Sequence, residues 1–284
     1  MIIKAIFVYF YIMLPMKLLD WIDINKLNWS ALSENPNAIQ LLKENPNKIN
    51  WCFLSINDNA IDLLENNQNY IDWFYLSINS NAGSLLKRNL DKVNWNFVSK
   101  NPGAIEILND NIDKINWFHL SSNPNALHLL KKYRTKINYN YLSLNPNAIK
   151  MLKKYPYYID WNFLSANPNA IELLKTNQNK ICWFHLSGNK NASEILKNNL
   201  NKINWYMLSG NQGAIEILKE NQDNISWFHL STNPGIFTYD YEKIKDLNKD
   251  LKEEIIATAL NPSRLFKLMR EYGEKEIYEA YFIY

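Results

Sequence analysis

The sequence predicts an all-α protein, an α-solenoid of short helix pairs. Three observations predict it. An aromatic residue recurs every 22 positions ten times without insertion. Apolar residues inside each unit fall at helical spacing. Residues that favour helix starts stand before each apolar stretch. The recurring aromatic is Trp29, Trp51, Trp73, Trp95, Trp117, Tyr139, Trp161, Trp183, Trp205 and Trp227, taken here as position 1 of each unit. A unit of this size cannot bury its own apolar face, so neighbours must stack. The 284 residues, long enough for about two ordinary domains, therefore read as one elongated repeat domain with flanking segments.

Within a unit, position 4 is Leu or Val and position 5 is Ser in all ten copies. Position 7 is Asn in all ten: Asn35, Asn57, Asn79, Asn101, Asn123, Asn145, Asn167, Asn189, Asn211 and Asn233. Pro often follows, as in Asn167-Pro168. Asn accepts free backbone N–H groups as an N-cap, and Pro loses nothing in the first turn, so a helix is expected over positions 8 to 16. Its core face is Ala at position 10, with positions 11, 13 and 14. Asn at position 17, as in Asn45 and Asn177, tolerates the left-handed backbone that commonly ends helices. A shorter helix fits positions 1 to 6, because Asn, Asp or Ser precedes most of the aromatics and Cys182 is the exception. Ser at position 5 sits where it can bond back to a carbonyl of its own turn. The aromatic at position 1 is expected to stack along the interior. A leucine-rich-repeat-like horseshoe is the alternative, since Leu-Ser-x-Asn resembles part of that consensus. Position 2 opposes it, because it mixes Ser30, Asn96 and Asn162 with Phe and Tyr and gives no strand alternation.

The flanks differ from the repeats. Residues 1–15 form a hydrophobic leader whose apolar run is too short for a confident transmembrane helix, and Met16 offers a second start. Residues 16–28 read as an N-terminal capping segment and 29–238 as the ten repeats. Residues 239–284 read as a C-terminal helical cap, in which Asn261-Pro262 starts a helix that Gly273 ends.

The recurring Trp-x-x-Leu-Ser-x-Asn-Pro-Asn-Ala-Ile-x-Leu-Leu unit resembles tandem-repeat proteins encoded by giant DNA viruses of protists. The resemblance covers about residues 16–273. It implies a viral origin and a place in the host cytoplasm or the virion, with export or membrane targeting by residues 1–15 left open. It implies no activity.

Chemistry-bearing motifs are absent. No phosphate loop, nucleophile elbow or zinc-protease motif occurs. His119, His185 and His229 share position 3 of units too far apart to hold one metal, and Cys52 and Cys182 lie six units apart. No catalytic residue, cofactor or metal site is expected. Ser and Asn recur ten times, which suits a structural role and not a single active site. The 44 asparagines are expected to mark helix starts and ends. The small net charge of +3 gives no general prior for nucleic acid.

The functional expectation is a non-enzymatic scaffold that binds a protein partner, viral or host. The candidate partner surface is the row at position 15: Lys131, Lys153, Lys175, Lys197 and Lys219. Two other readings remain. Aligned Lys rows at positions 15 and 20 would track a phosphate backbone. Residues 14–19, Leu-Pro-Met-Lys-Leu-Leu, resemble the start of an F-box, which would make the chain an adaptor for a host ubiquitin ligase.

Overall fold

The computed structural model describes residues 14–246, 249 and 261–273. The leader reading for residues 1–13 lies outside the described residues, as does most of the charged segment after 246. Leu18–Thr238 forms one compact unit, and the described flanking residues belong to a second.

The repeat region is an α-solenoid of short helix pairs. In the seventh unit, Asp160 caps helix Trp161–Ala166 by accepting the N–H of Phe163. Asn167 then caps a 3-10 turn, Pro168–Ala170, which runs directly into the α-helix Ile171–Lys175. A second 3-10 turn, Gln178–Lys180, returns the chain to the next aromatic. The expected single helix over positions 8 to 16 is thus a 3-10 turn followed by an α-helix. The horseshoe alternative fails. The only described strands are β1 (Met16–Leu18) and β2 (Phe237–Tyr239), which pair in a two-stranded sheet outside the repeating pattern. The residues that resemble an F-box start therefore include strand β1.

The core is built from small and branched side chains with buried polar ones between them. Position 4 (Leu32 to Leu230) and position 14 (Leu42 to Leu218) are fully buried, and Ala at position 10 is at most 1% exposed. Position 1 departs from expectation. All nine repeat Trp residues and Tyr139 are only half-buried. The aromatic follows the N-cap directly, so it sits on the rim of the first turn and not against the next unit's core. Its outer face is covered instead by position 20 of its own unit. The ammonium groups of Lys48, Lys92, Lys114, Lys180 and Lys202 lie 4.1 to 4.7 Å from the ring centroids of Trp29, Trp73, Trp95, Trp161 and Trp183. Tyr70 and Tyr158 play the same part by stacking on Trp51 and Tyr139 at 4.8 and 4.6 Å.

Position 17 also departs from expectation. Asn45 has φ −132° and ψ 59°, and no described residue other than Gly has a positive φ. The following 3-10 turn makes a left-handed residue unnecessary. The Asn side chain closes the helix differently, donating Nδ2–H to the free carbonyl at position 13 at 2.8 to 2.9 Å in the seven units that carry it.

The units are joined by a ladder of buried Ser and Asn. Ser at position 5 donates to the position 1 carbonyl at 2.6 to 3.0 Å. The same oxygen accepts the N–H of the residue before the next aromatic, as in Asn138 N–H to Ser121 Oγ at 2.9 Å. Asn at position 7 does more than cap. Its Oδ1 accepts the position 9 N–H, while its Nδ2 donates to the carbonyls of positions 5 and 7 in the preceding unit. Asn145 makes these bonds to Asn147 at 3.0 Å, to Ser121 at 3.1 Å and to Asn123 at 2.7 Å. Every one of these ten Asn side chains is 0 to 2% exposed.

The ladder does not end at the first unit. Asn35 donates to the carbonyls of Ser231 and Asn233 at 3.0 and 2.9 Å, and Asn37 donates to that of Pro234 at 3.0 Å. Asn28 N–H reaches Ser231 Oγ at 2.9 Å, and Leu19 N–H reaches the Ile236 carbonyl at 2.9 Å. Unit one therefore stacks on unit ten as on unit two, and the repeat region is a closed ring, not an elongated array with free ends.

Residues 24–28 complete the tenth unit. Ile24–Lys26 is a 3-10 turn like those at positions 18 to 20, and Leu27 is 5% exposed. Lys26 sits 5.1 Å from the Trp227 ring centroid, where position 20 of unit ten would stand. The expected N-terminal cap is thus the missing end of the last repeat.

Curvature follows from unequal spacing. Asn side chains draw neighbouring 3-10 turns into direct contact on one side of the array. The close side is tight enough that a Cβ on Gly213 would lie 1.9 Å from the Lys190 carbonyl oxygen. In the C-terminal flank, Asn261 caps helix Pro262–Tyr272, and Gly273 ends it at φ 102°, as the sequence predicts.

Candidate interaction surfaces

Ring closure consumes the ends of the array and leaves its edges as the available surface. Three sets of side chains stand out on them.

The first is at position 2. This residue follows the aromatic on the first helix, and the cap before it turns its side chain outward. Phe74, Phe118, Phe184, Tyr206 and Phe228 are 42 to 55% exposed there. Several lie against the position 3 residue of a neighbour: Phe74 is edge-on to Phe97 at 4.5 Å, Phe118 lies 3.8 Å from Tyr141, and Tyr206 lies 3.5 Å from His229. The band holds an exposed cluster over units eight to ten. Sequence reasoning passed over it, because position 2 varies and served there only to argue against a strand.

The second set is the predicted Lys row. Lys131, Lys153, Lys175, Lys197 and Lys219 all lie at the ends of second helices, where a cation complements the helix dipole. They do not act alike. Lys175 is held by Glu172 at 3.3 Å and Glu194 at 3.2 Å, and these carboxylates, Glu194 most of all, raise its pKa. Lys87 of the same row faces Glu106 at 3.5 Å. The row at position 15 is therefore interrupted by acids, and most of the row at position 20 is spent covering Trp rings. The ten Asn at position 7 each accept the position 9 N–H, seven of them as N-caps of 3-10 turns and not of the α-helix itself, and they are also the inter-unit ties.

The third set is the concave side. Ala166, Pro168, Gly188, Lys190, Gly210, Gln212 and Pro234 come from positions 6 and 8 of four successive units and line one open cavity of about 300 Å³. Its walls are mostly proline, glycine and backbone, with Lys190 and Gln212 as polar side chains.

His119, His185 and His229 stand at position 3 of their units. Cys182 Sγ lies 3.2 Å from His185 Nδ1, and Ser226 Oγ lies 2.9 Å from His229 Nδ1. Both are contacts within one helical turn. In both units the pre-aromatic side chain bonds the ring instead of capping the helix. Burial holds the pKa of His119 and of His229 below the usual imidazole range, with Lys100 adding to the effect at His119. No group of three or more His, Cys, Asp or Glu able to hold a metal occurs among the described residues. No described helix is long and apolar enough to cross a membrane. Comparisons with protein-family models, curated proteins and solved structures find no match to this chain.

Proposed function

We propose that the chain is a non-enzymatic binding ring that presents an aromatic edge to a protein partner, viral or host. The observation that carries this reading is the exposed cluster Phe184, Tyr206 and Phe228 on adjacent first helices. Large aromatics are favoured anchors at interfaces, and three of them side by side on a rigid frame form a pre-organised patch. Ring closure supports the same reading, because it fixes their mutual placement. The resemblance of the repeat unit to viral repeat proteins makes an infected host cell the setting in which to seek that partner.

Affinity capture from such cells, followed by mass spectrometry, tests this. The wild-type chain is compared with a Phe184→Ser, Tyr206→Ser, Phe228→Ser variant. The reading predicts a partner retained by the wild type and lost by the variant while the ring stays folded. Equal capture by both would remove the aromatic edge as the site.

A further inference from the structure

The basic charge of this protein is concentrated at one place on the ring. From Ile115 to Ile159 there are seven basic residues and no acidic one, while the other 24 basic residues are outnumbered by the 28 acidic ones. Lys131 and Lys132 end the second helix of unit five, with Arg134 and Lys136 in the 3-10 turn after it. Lys150, Lys153 and Lys154 occupy the second helix of unit six. All seven are exposed, and none makes an ion pair among the described residues.

The register makes this arrangement unusual. At three other junctions position 15 of one unit meets position 12 of the next with complementary chemistry: Lys87 with Glu106, Lys175 with Glu194, and Asn109 with His128 at 3.0 Å. Between units five and six, the same two positions hold Lys131 and Lys150. Like charges at this register oppose stacking, so the fold does not call for them.

A second departure coincides with the first. Among units one to nine, only units five and six replace the Asn at position 17, and both replace it with Tyr. The Tyr side chains cannot make the Asn bond to the position 13 carbonyl, which Tyr133 reaches with its own N–H at 2.8 Å; their rings pack against the position 1 aromatics, Tyr133 4.9 Å from Trp117 and Tyr155 6.4 Å from Tyr139, with lysines beside them. Lys132 is 5.3 Å from the Tyr133 centroid, and Lys154 is 5.4 Å from that of Tyr155. Tyr157, next along the turn, is 92% exposed and contributes almost nothing to burial.

We propose that the outer face of units five and six binds single-stranded nucleic acid, with phosphates on the lysines and Arg134 and bases stacked on Tyr157 and its neighbours. Unpaired cations beside open aromatic rings are the chemistry that a single strand satisfies. A duplex hides its base faces, and an acidic peptide offers charge without a stacking partner. This site lies on different units from the Phe184, Tyr206 and Phe228 cluster, so either proposal stands without the other.

Fluorescence anisotropy of the full chain with a labelled oligothymidine tests it. Binding should weaken linearly in log–log form between about 50 and 200 mM salt. The variant Lys131→Gln, Lys132→Gln, Lys153→Gln, Lys154→Gln should bind more weakly and lower the salt slope by about 3. Tyr157→Ala, which leaves the charge intact, should weaken binding about 5- to 100-fold at an unchanged slope. Lys43→Gln with Lys197→Gln should change neither. Absence of binding at low salt overturns the proposal. So does binding that survives the fourfold variant. A heparin fragment or polyglutamate binding as tightly as the oligonucleotide, with Tyr157→Ala indifferent, overturns it as well.

Discussion

Replacing Asn145 tests the inter-unit ladder, because two substitutions separate its two jobs. As a cap alone, Asn145 is worth about 1 kcal/mol, and Asp serves nearly as well as Asn in that role. In the structure the side chain also donates to the buried carbonyls of Ser121 and Asn123. The Asn123 carbonyl keeps a second donor, the Ala148-equivalent Ala126 N–H at 3.2 Å, whereas Ser121 has no second donor among the hydrogen bonds described. Leaving a buried polar group without its partner costs about 1–3 kcal/mol. Asn145→Ala should therefore cost about 2–4 kcal/mol, the cap and the tie together. Asn145→Asp keeps the acceptor for Asn147 but turns a carboxylate oxygen toward two carbonyls, and should cost at least as much as Ala. Urea denaturation of the purified variants gives both numbers. Asn145→Asp within about 0.5 kcal/mol of wild type would show that only the cap matters.

Other outcomes follow from the same contacts. Ser121→Ala removes the acceptor for the Asn138 N–H and the donor to Trp117, and should cost about 1–3 kcal/mol in the same melts. Leu152→Ala, in the fully buried row, should cost about 2–5 kcal/mol, whereas Lys92→Gln, which uncovers one face of Trp73, should cost about 0.5–1 kcal/mol. His119 has a lowered pKa in the fold, so the unfolded chain binds its proton first as pH falls. Its contribution to stability is complete above the unfolded pKa of about 6.5 and shrinks as pH drops toward the folded value. His119→Phe, the residue found at this position in units two, four and seven, should flatten that part of the urea midpoint against pH.

The repeat was legible because its constraints are local. Capping, Pro placement and the spacing of Leu and Ala follow from one unit's own backbone, and each appears where the sequence puts it. Ring closure was not read, although its signal was present. Asp23-Ile24-Asn25-Lys26-Leu27-Asn28 matches Asn45-Pro46-Asn47-Lys48-Ile49-Asn50, the end of a unit. Counting units from the aromatic set that segment before the first repeat, when it belongs to the last. Periodicity establishes stacking but not the angle between units, which depends on how closely the Asn-tied turns approach. The tryptophans misled for a related reason. Their size suggests core, but a residue directly after an N-cap lies on the rim, where a lysine 19 positions later can cover it. Most lysines of position 20 are accordingly engaged with Trp faces, a pairing that the spacing of charges alone does not reveal. The Lys131–Lys150 juxtaposition needs the inter-unit register, which one unit's sequence does not contain.

Closure of the ring between units one and ten fixes the placement of every surface described above. Spin labels at Ser30→Cys and Phe228→Cys, with Cys52 and Cys182 replaced by Ser, measure it by pulsed dipolar spectroscopy. A second pair at Tyr206→Cys and Phe228→Cys reports an ordinary neighbour distance inside the array. Closure predicts the same short, narrow distance for both pairs. A long or broad distribution for the Ser30 pair beside a short one for the Tyr206 pair would mean that the ring is open.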